Sequence, residues 1–158
     1  MSAPDNGLIG IDIRCTKIDA PVFDQADKII FEKRLDTPKD HEPMVKAIAG
    51  LVQAAGAGTV GIGALGSGHP ETGTRRNSYF VASNGKPMLK DLEVAIGRPN
   101  RIENDDNCFV LSEAKNGTGA GFGVVAFLPS APTLTASWRG AGHCGSRAPA
   151  KPLCPHLR

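Results

Sequence analysis

Leu8-Ile9-Gly10-Ile11-Asp12-Ile13 is a short β-branched run of the kind that forms a central strand, and Arg14-Cys15-Thr16-Lys17 follows it directly. Thr16-Lys17-Ile18-Asp19-Ala20-Pro21-Val22 reads as a second strand after a tight turn, with Pro21 weakening its far end. Lys28 to Leu35 completes a three-stranded meander, because Asp24-Gln25-Ala26-Asp27 suits a hairpin connection.

The apolar period then changes from two to helical spacing. Pro43 fits a first helical turn, where its missing N–H costs nothing. Val45, Ile48, Leu51, Val52 and Ala55 follow at helical spacing, and Gly56 supplies a stop. Thr59 to Leu65 reads as a buried strand entering the glycine-rich loop Gly66-Ser67-Gly68-His69-Pro70. Met88 to Ile96 predicts a short helix and Arg101-Ile102-Glu103 a strand. Asp105 and Asp106 open a further helix, with Cys108, Leu111 and Ala114 on one face. Carboxylates in that first turn meet the positive end of the helix dipole. This order predicts an α/β layer, a mixed sheet with flanking helices.

Length and charge narrow the function classes. The 158 residues carry a formal charge of +2, with the basic residues scattered rather than striped. No electrostatic footprint for nucleic acid or a membrane surface results. No apolar run reaches the roughly 20 residues that span a bilayer, and MSAPDNG lacks the regions of a signal peptide. Cys15, Cys108, Cys144 and Cys154 are far apart, so neither a disulfide framework nor a zinc cage is predicted. A cytoplasmic, reduced protein is the expectation.

Three segments resemble the ROK sugar kinases. Gly10-Ile11-Asp12-Ile13-Arg14-Cys15-Thr16-Lys17 resembles that family's G-I-D-x-G-G-T-K phosphate loop. Thr59-Val60-Gly61-Ile62-Gly63-Ala64-Leu65-Gly66-Ser67, with Pro70, Thr72 and Gly73, is similar to its G-I-G-x-P-G-x-x-x-P-x-T-G. Glu103-Asn104-Asp105-Asp106-Asn107-Cys108, running to Ser112-Glu113-Ala114, resembles x-N-D-A-N-C-x-x-x-S-E-A. Asn84-Gly85-Lys86-Pro87 with Asp91-Leu92 is similar to the fructokinase and mannokinase branch. The match covers about residues 7 to 125, in order.

The resemblance implies the sugar-binding N-terminal lobe of an actin-like, ribonuclease-H-like ATPase fold, over residues 7–128. It implies an ATP-dependent hexose kinase using Mg²⁺, with a hexose as small-molecule partner. By the resemblance, Asp105 is the general base on the sugar hydroxyl, and Asn104, Gly66, Ser67, Asn77 and Ser78 bind the sugar. Asp12, Thr16 and Lys17 belong to the loop that faces the ATP phosphates and Mg²⁺, and no residue is assigned as a metal ligand. Full-length members of the family can form homodimers; the sequence leaves the state of this chain open.

Other readings stand beside these. An acid pair opening a helix is by itself a capping device, and Gly66-Ser67-Gly68 by itself a turn. His41 and His69 read as solvated loop residues, and Cys108 as a buried core cysteine. The family's Gly-Gly is Arg14-Cys15 here, and two side chains at that point should hinder nucleotide approach.

Residues 129–158 hold five prolines, no acid and no apolar period, and are expected to be an irregular tail, disordered or translated in a shifted frame. With no second phosphate loop, the chain is expected to be inactive or nearly so. A non-catalytic sugar-binding module is the alternative. A transcriptional regulator is disfavoured, since six residues precede Gly7, too few for a winged helix.

Overall fold

In the computed structural model of the chain, residues 7–56, 58–69, 71–78, 80–127, 136–139 and 143–145 are described. The chain divides into two units, Met1–Asn104 and Asp105–Arg158.

The first unit is built on β1 (Leu8–Ile13), β2 (Lys17–Phe23) and β3 (Ile29–Asp36). Asp24 stabilises the β2–β3 turn: its Oδ1 accepts from the backbone of Ala26 at 2.8 Å and of Lys28 at 3.0 Å. Helix α1 (His41–Ala55) follows, ending at Gly56, whose φ of 93° suits glycine. Then come β4 (Thr59–Ala64), the two-residue strands β5 (Ser67–Gly68) and β6 (Arg75–Arg76), and a single 3₁₀ turn at Val81–Ser83. Helix α2 (Met88–Ile96) and β7 (Asn100–Asn104) complete the unit.

Among the described residues, five strands form one sheet in the order β3-β2-β1-β4-β7. β1, β4 and β7 run parallel, whereas β2 and β3 are antiparallel additions. This is the mixed sheet that the element order predicts. Ile9, Ile11 and Ile13 alternate with less buried residues along β1, as do Val60, Ile62 and Ala64 along β4. That face carries α1, whose Met44, Ile48, Leu51 and Val52 are buried with them in one core.

Pro21 interrupts the β1–β2 ladder near its middle, while the far end of β2 that it was expected to weaken, Val22 and Phe23, stays paired. Register pairs run Leu8–Phe23 and Ile9–Val22, then resume at Asp12–Asp19 and Ile13–Ile18. The gap falls where Pro21, which has no N–H, lies against Gly10. The outer strand β3 carries Glu32-Lys33-Arg34 on exposed positions, and such charges discourage pairing with another chain.

One of the two histidine expectations is corrected. His41 is not a solvated loop residue: it lies in the first turn of α1 with its side chain 13% exposed, and its Nε2 is 2.8 Å from Asp91 Oδ2 on α2. His69 does lie in a loop, but its Nδ1 accepts from the backbones of Glu71 and Thr72 and so shapes that loop.

In the second unit, α3 (Asp105–Asn116) precedes β8 (Val124–Phe127), β9 (Ala136–Arg139) and β10 (His143–Gly145). These strands pair antiparallel in the order β10-β9-β8. The buried positions of α3 are Asn107, Val110 and Ala114, so the stripe is rotated from the expected one and Cys108 is half-buried. A polar residue, Asn107, occupies a buried position that an apolar pattern cannot signal. Strands β9 and β10 occupy part of the stretch read from sequence as irregular. Main-chain pairing with β8 requires no apolar period, which is why composition does not announce them. The rest of residues 129–158 lies outside the described residues.

Candidate functional site

Parallel strands deliver their carboxyl ends to one edge of a sheet, and open α/β sheets bind ligands there. Ile13, Ala64 and Asn104 are register neighbours at the ends of β1, β4 and β7. The loop after β1 carries Arg14 to Thr16, and the loop after β4 carries Gly66 and Ser67. The segments to which the family resemblance assigns nucleotide-phosphate and sugar contacts, the turn after Ile13, the Gly66 loop and Asn104, thus meet at one sheet edge. Asp105, the residue after Asn104, opens α3 in the second unit and is half-buried.

The segment after β4 is organised around Gly66. Its φ is 82°, and a Cβ there would lie 2.6 Å from Arg76 O and 2.8 Å from Ser78 N. Only glycine satisfies both the left-handed backbone and the close approach. Asn104 Nδ2 donates to Gly66 O at 2.9 Å, and Ser67 pairs with Arg76 in the β5–β6 ribbon. Asn77 has a positive φ of 54°, which asparagine tolerates better than most residues. Ser78 is buried, and Asn84 clamps its backbone from both sides: Ser78 N donates to Asn84 Oδ1 and Asn84 Nδ2 donates to Ser78 O, each at 3.0 Å. Ser78 Oγ accepts from Phe80 N at 3.1 Å, so its hydroxyl is engaged within the loop.

Arg75 is a residue that the sequence reading missed. It is 3% exposed, and its Nη2 donates to Ala64 O at 2.8 Å and to Leu65 O. A buried guanidinium bonded to two carbonyls fixes the end of β4 immediately before Gly66. Nothing in the Thr72-Gly73-Thr74-Arg75-Arg76 stretch distinguishes this arginine from its exposed neighbour Arg76.

The turn between β1 and β2 is a charged hairpin. Arg14 N donates to Lys17 O at 2.9 Å, Thr37 N donates to Thr16 O at 3.0 Å, and Thr37 Oγ1 donates to Arg14 O at 2.7 Å. Asp12 and Asp19 are cross-strand partners on β1 and β2, an unfavourable juxtaposition of like charge. Two arginines relieve it. Arg14 Nε donates to Asp12 Oδ2 at 2.8 Å and its Nη2 to Asp19, while Arg34 Nε donates to the other oxygen of Asp19. Arg34's hydrogen bond is the largest influence holding the Asp19 carboxyl below its ordinary range; burial opposes it, and the charges of Arg34, Arg14 and Lys17 lower it further. Arg14, for which the sequence reading has no role, therefore has one in the structure, and Asp19 and Arg34 are additions to the site.

Thr16 and Lys17 sit beside this network on exposed positions, suited to an anionic phosphate. A divalent cation fits less well, because the Asp12 carboxylate is already paired with Arg14. Among the described residues no group of three or more His, Cys, Asp or Glu could hold a metal ion, and no helix is long and apolar enough to cross a membrane.

Comparison with known proteins gives the family and the fold. A model of the ROK family matches residues 8–128. The N-acetyl-D-glucosamine kinase of Haemophilus influenzae is 40% identical over 111 residues, covering 66% of this chain and 36% of that protein. Among solved structures, a ROK family glucokinase from Streptomyces griseus, in complex with glucose and AMPPNP, aligns with a TM-score of 0.73 and 28% identity, covering 90% of this chain and 49% of the other. A ROK hexokinase from Thermus thermophilus aligns with a TM-score of 0.65 and 26% identity, covering 89% and 46%. The chain thus spans about a third to a half of the length of these relatives.

Proposed function

We propose, from the premise that this chain belongs to the ROK family and has the actin-like fold of its sugar kinases, that it is the sugar-binding lobe of an ATP-dependent hexose kinase acting in the cytoplasm. The observation that carries this reading is the gathering of the phosphate hairpin, the Gly66 loop and Asn104 at the carboxyl ends of β1, β4 and β7. In the reading, residues 7–128 are the lobe, and Asn104, Gly66, Ser67 and Asn77 contact sugar hydroxyls. Ser78 supports them by shaping the loop. Asp12, Thr16 and Lys17 face the phosphates of ATP.

Asp105 acts as the general base. Its carboxylate takes the proton of the attacking sugar hydroxyl as that oxygen bonds to the γ-phosphorus; the bond from phosphorus to the β–γ bridging oxygen breaks, and ADP leaves with its electrons. A positioned carboxylate suffices, because phosphoryl transfer depends chiefly on alignment and charge stabilisation. No step is assigned to Mg²⁺, given the pairing of Asp12 with Arg14. Because the reading puts nucleotide contacts on a second lobe as well, the 158-residue chain is expected to bind sugar but to turn over little or not at all.

Substrate choice has two supports. The Asn84-Gly85-Lys86-Pro87 pattern favours fructose or mannose, whereas the 40% identity to an N-acetyl-D-glucosamine kinase favours that amino sugar as the second reading. Calorimetric titration of the chain with fructose, mannose, glucose and N-acetyl-D-glucosamine separates them. Binding to none of these sugars would sink the proposal. For the base, a hybrid completed with the second lobe of a related ROK kinase should lose about 10²-fold or more in kcat on Asp105→Asn, with sugar affinity retained. A near-parental rate would remove Asp105 from the role.

A further inference from the structure

We infer that Arg14 is a tethered cation that takes the place of a divalent metal at Asp12, so that this loop meets phosphates without a metal ion. The inference rests on the phosphate-loop reading of residues 10–17. Asp12 and Asp19, side by side across β1 and β2, form the kind of paired-carboxylate site that attracts a divalent cation. Here two guanidiniums fill it. Arg14 spans both carboxylates through Nε and Nη2, and Arg34 takes the remaining oxygen of Asp19. The two negative charges are matched by two positive ones, and Lys17 adds a further positive field at Asp19.

Tethering gives Arg14 its advantage over a dissolved ion. Its main chain is fixed by the Lys17 and Thr37 hydrogen bonds, so the guanidinium stands at the carboxylates at an effective concentration of millimolar or more. A planar fork also satisfies two carboxylates at once, which a lysine would not. The Arg14 side chain is still 54% exposed. A guanidinium carries five N–H donors, more than its carboxylate bonds use, so a half-exposed Arg14 can also donate to a phosphate oxygen, which suits a metal-free polyphosphate.

The test is a Mn²⁺ titration of the whole 158-residue chain followed by electron paramagnetic resonance. Arg14→Met should bind Mn²⁺ at least about fivefold more tightly than the parent, the factor equivalent to roughly 1 kcal/mol, the upper end for an exposed ion pair. Arg14→Lys should gain less. Adding Asp12→Asn to Arg14→Met should abolish the gain. Equal affinity in the parent and Arg14→Met, absence of Mn²⁺ binding in both, or a gain that survives loss of Asp12 would each overturn the inference.

Circular dichroism identifies a variant that fails to fold, and the parent alone then decides. Its Arg14 Nε–H resonance should stay unshifted through millimolar Mg²⁺; displacement of that signal would overturn the assignment. The readout needs neither sugar nor phosphoryl transfer, so failure of the kinase reading and failure of this one give different results.

Discussion

Around Gly66, the hydrogen bonds described above end on neutral acceptors: Asn104 donates to Gly66 O, Arg75 donates to Ala64 O and Leu65 O, and Asn84 exchanges amide bonds with Ser78. Around the β1–β2 hairpin, the central acceptors are the carboxylates of Asp12 and Asp19, and the donors are guanidiniums. Both regions lie at the same edge of one sheet, yet different forces hold them. The first depends on shape, since a glycine must admit two backbone segments. The second depends on charge, and charge can be titrated and screened.

Substituting Gly66 is the severest way to probe the shape-held region. Gly66→Val adds a β-branched side chain at a φ of 82° and directs its Cβ at Arg76 O and Ser78 N. Backbone strain and overlap together should cost about 3 kcal/mol in urea unfolding, with sugar affinity falling more than about tenfold. A loss below about 1 kcal/mol would show that the loop adapts and that shape is not what holds it.

The charge-held region should respond to acid. Folded Asp19 binds a proton less readily than it does in the unfolded chain, so its contribution to stability is whole above the ordinary aspartate range. It is lost as the pH falls through the lowered value of the folded state. Asp19→Asn should cost about 1–2 kcal/mol at neutral pH and flatten the acid limb of the stability profile. An unchanged acid limb in the variant would mean that other carboxylates govern it.

Salt gives the smallest and most selective effect. Arg14 and Arg34 are about half exposed, so molar NaCl should weaken the hairpin by a few tenths of a kcal/mol. Amide exchange at Arg14 and Thr37 should quicken accordingly, while exchange at Ser78 and Phe80 stays constant. Equal acceleration at both places would erase the distinction between them.

The five strands of the main sheet, the two helices of the first unit and the residues that carry the family resemblance could be read directly from the chain. Local causes explain why: alternation in β1 and β4, helical spacing from Val45 to Ala55, and the stop at Gly56 each act within a few residues. The importance of Gly66 was legible because a tight loop demands glycine whatever surrounds it. The roles of Arg14, Asp19, Arg34, Arg75 and His41 were not. Asp19 becomes central because β1 sets it opposite Asp12 and β3 sets Arg34 opposite it, pairings made between residues up to 15 positions apart. Arg75 and Arg76 are the same letter twice, and the turn of the β5–β6 ribbon alone decides which one is buried beneath the carbonyls of β4. His41 meets Asp91 across 50 residues because α1 and α2 pack together. Sequence determines what is local in energy; which charges meet, and which is buried, depends on contacts that exist only once the sheet has closed.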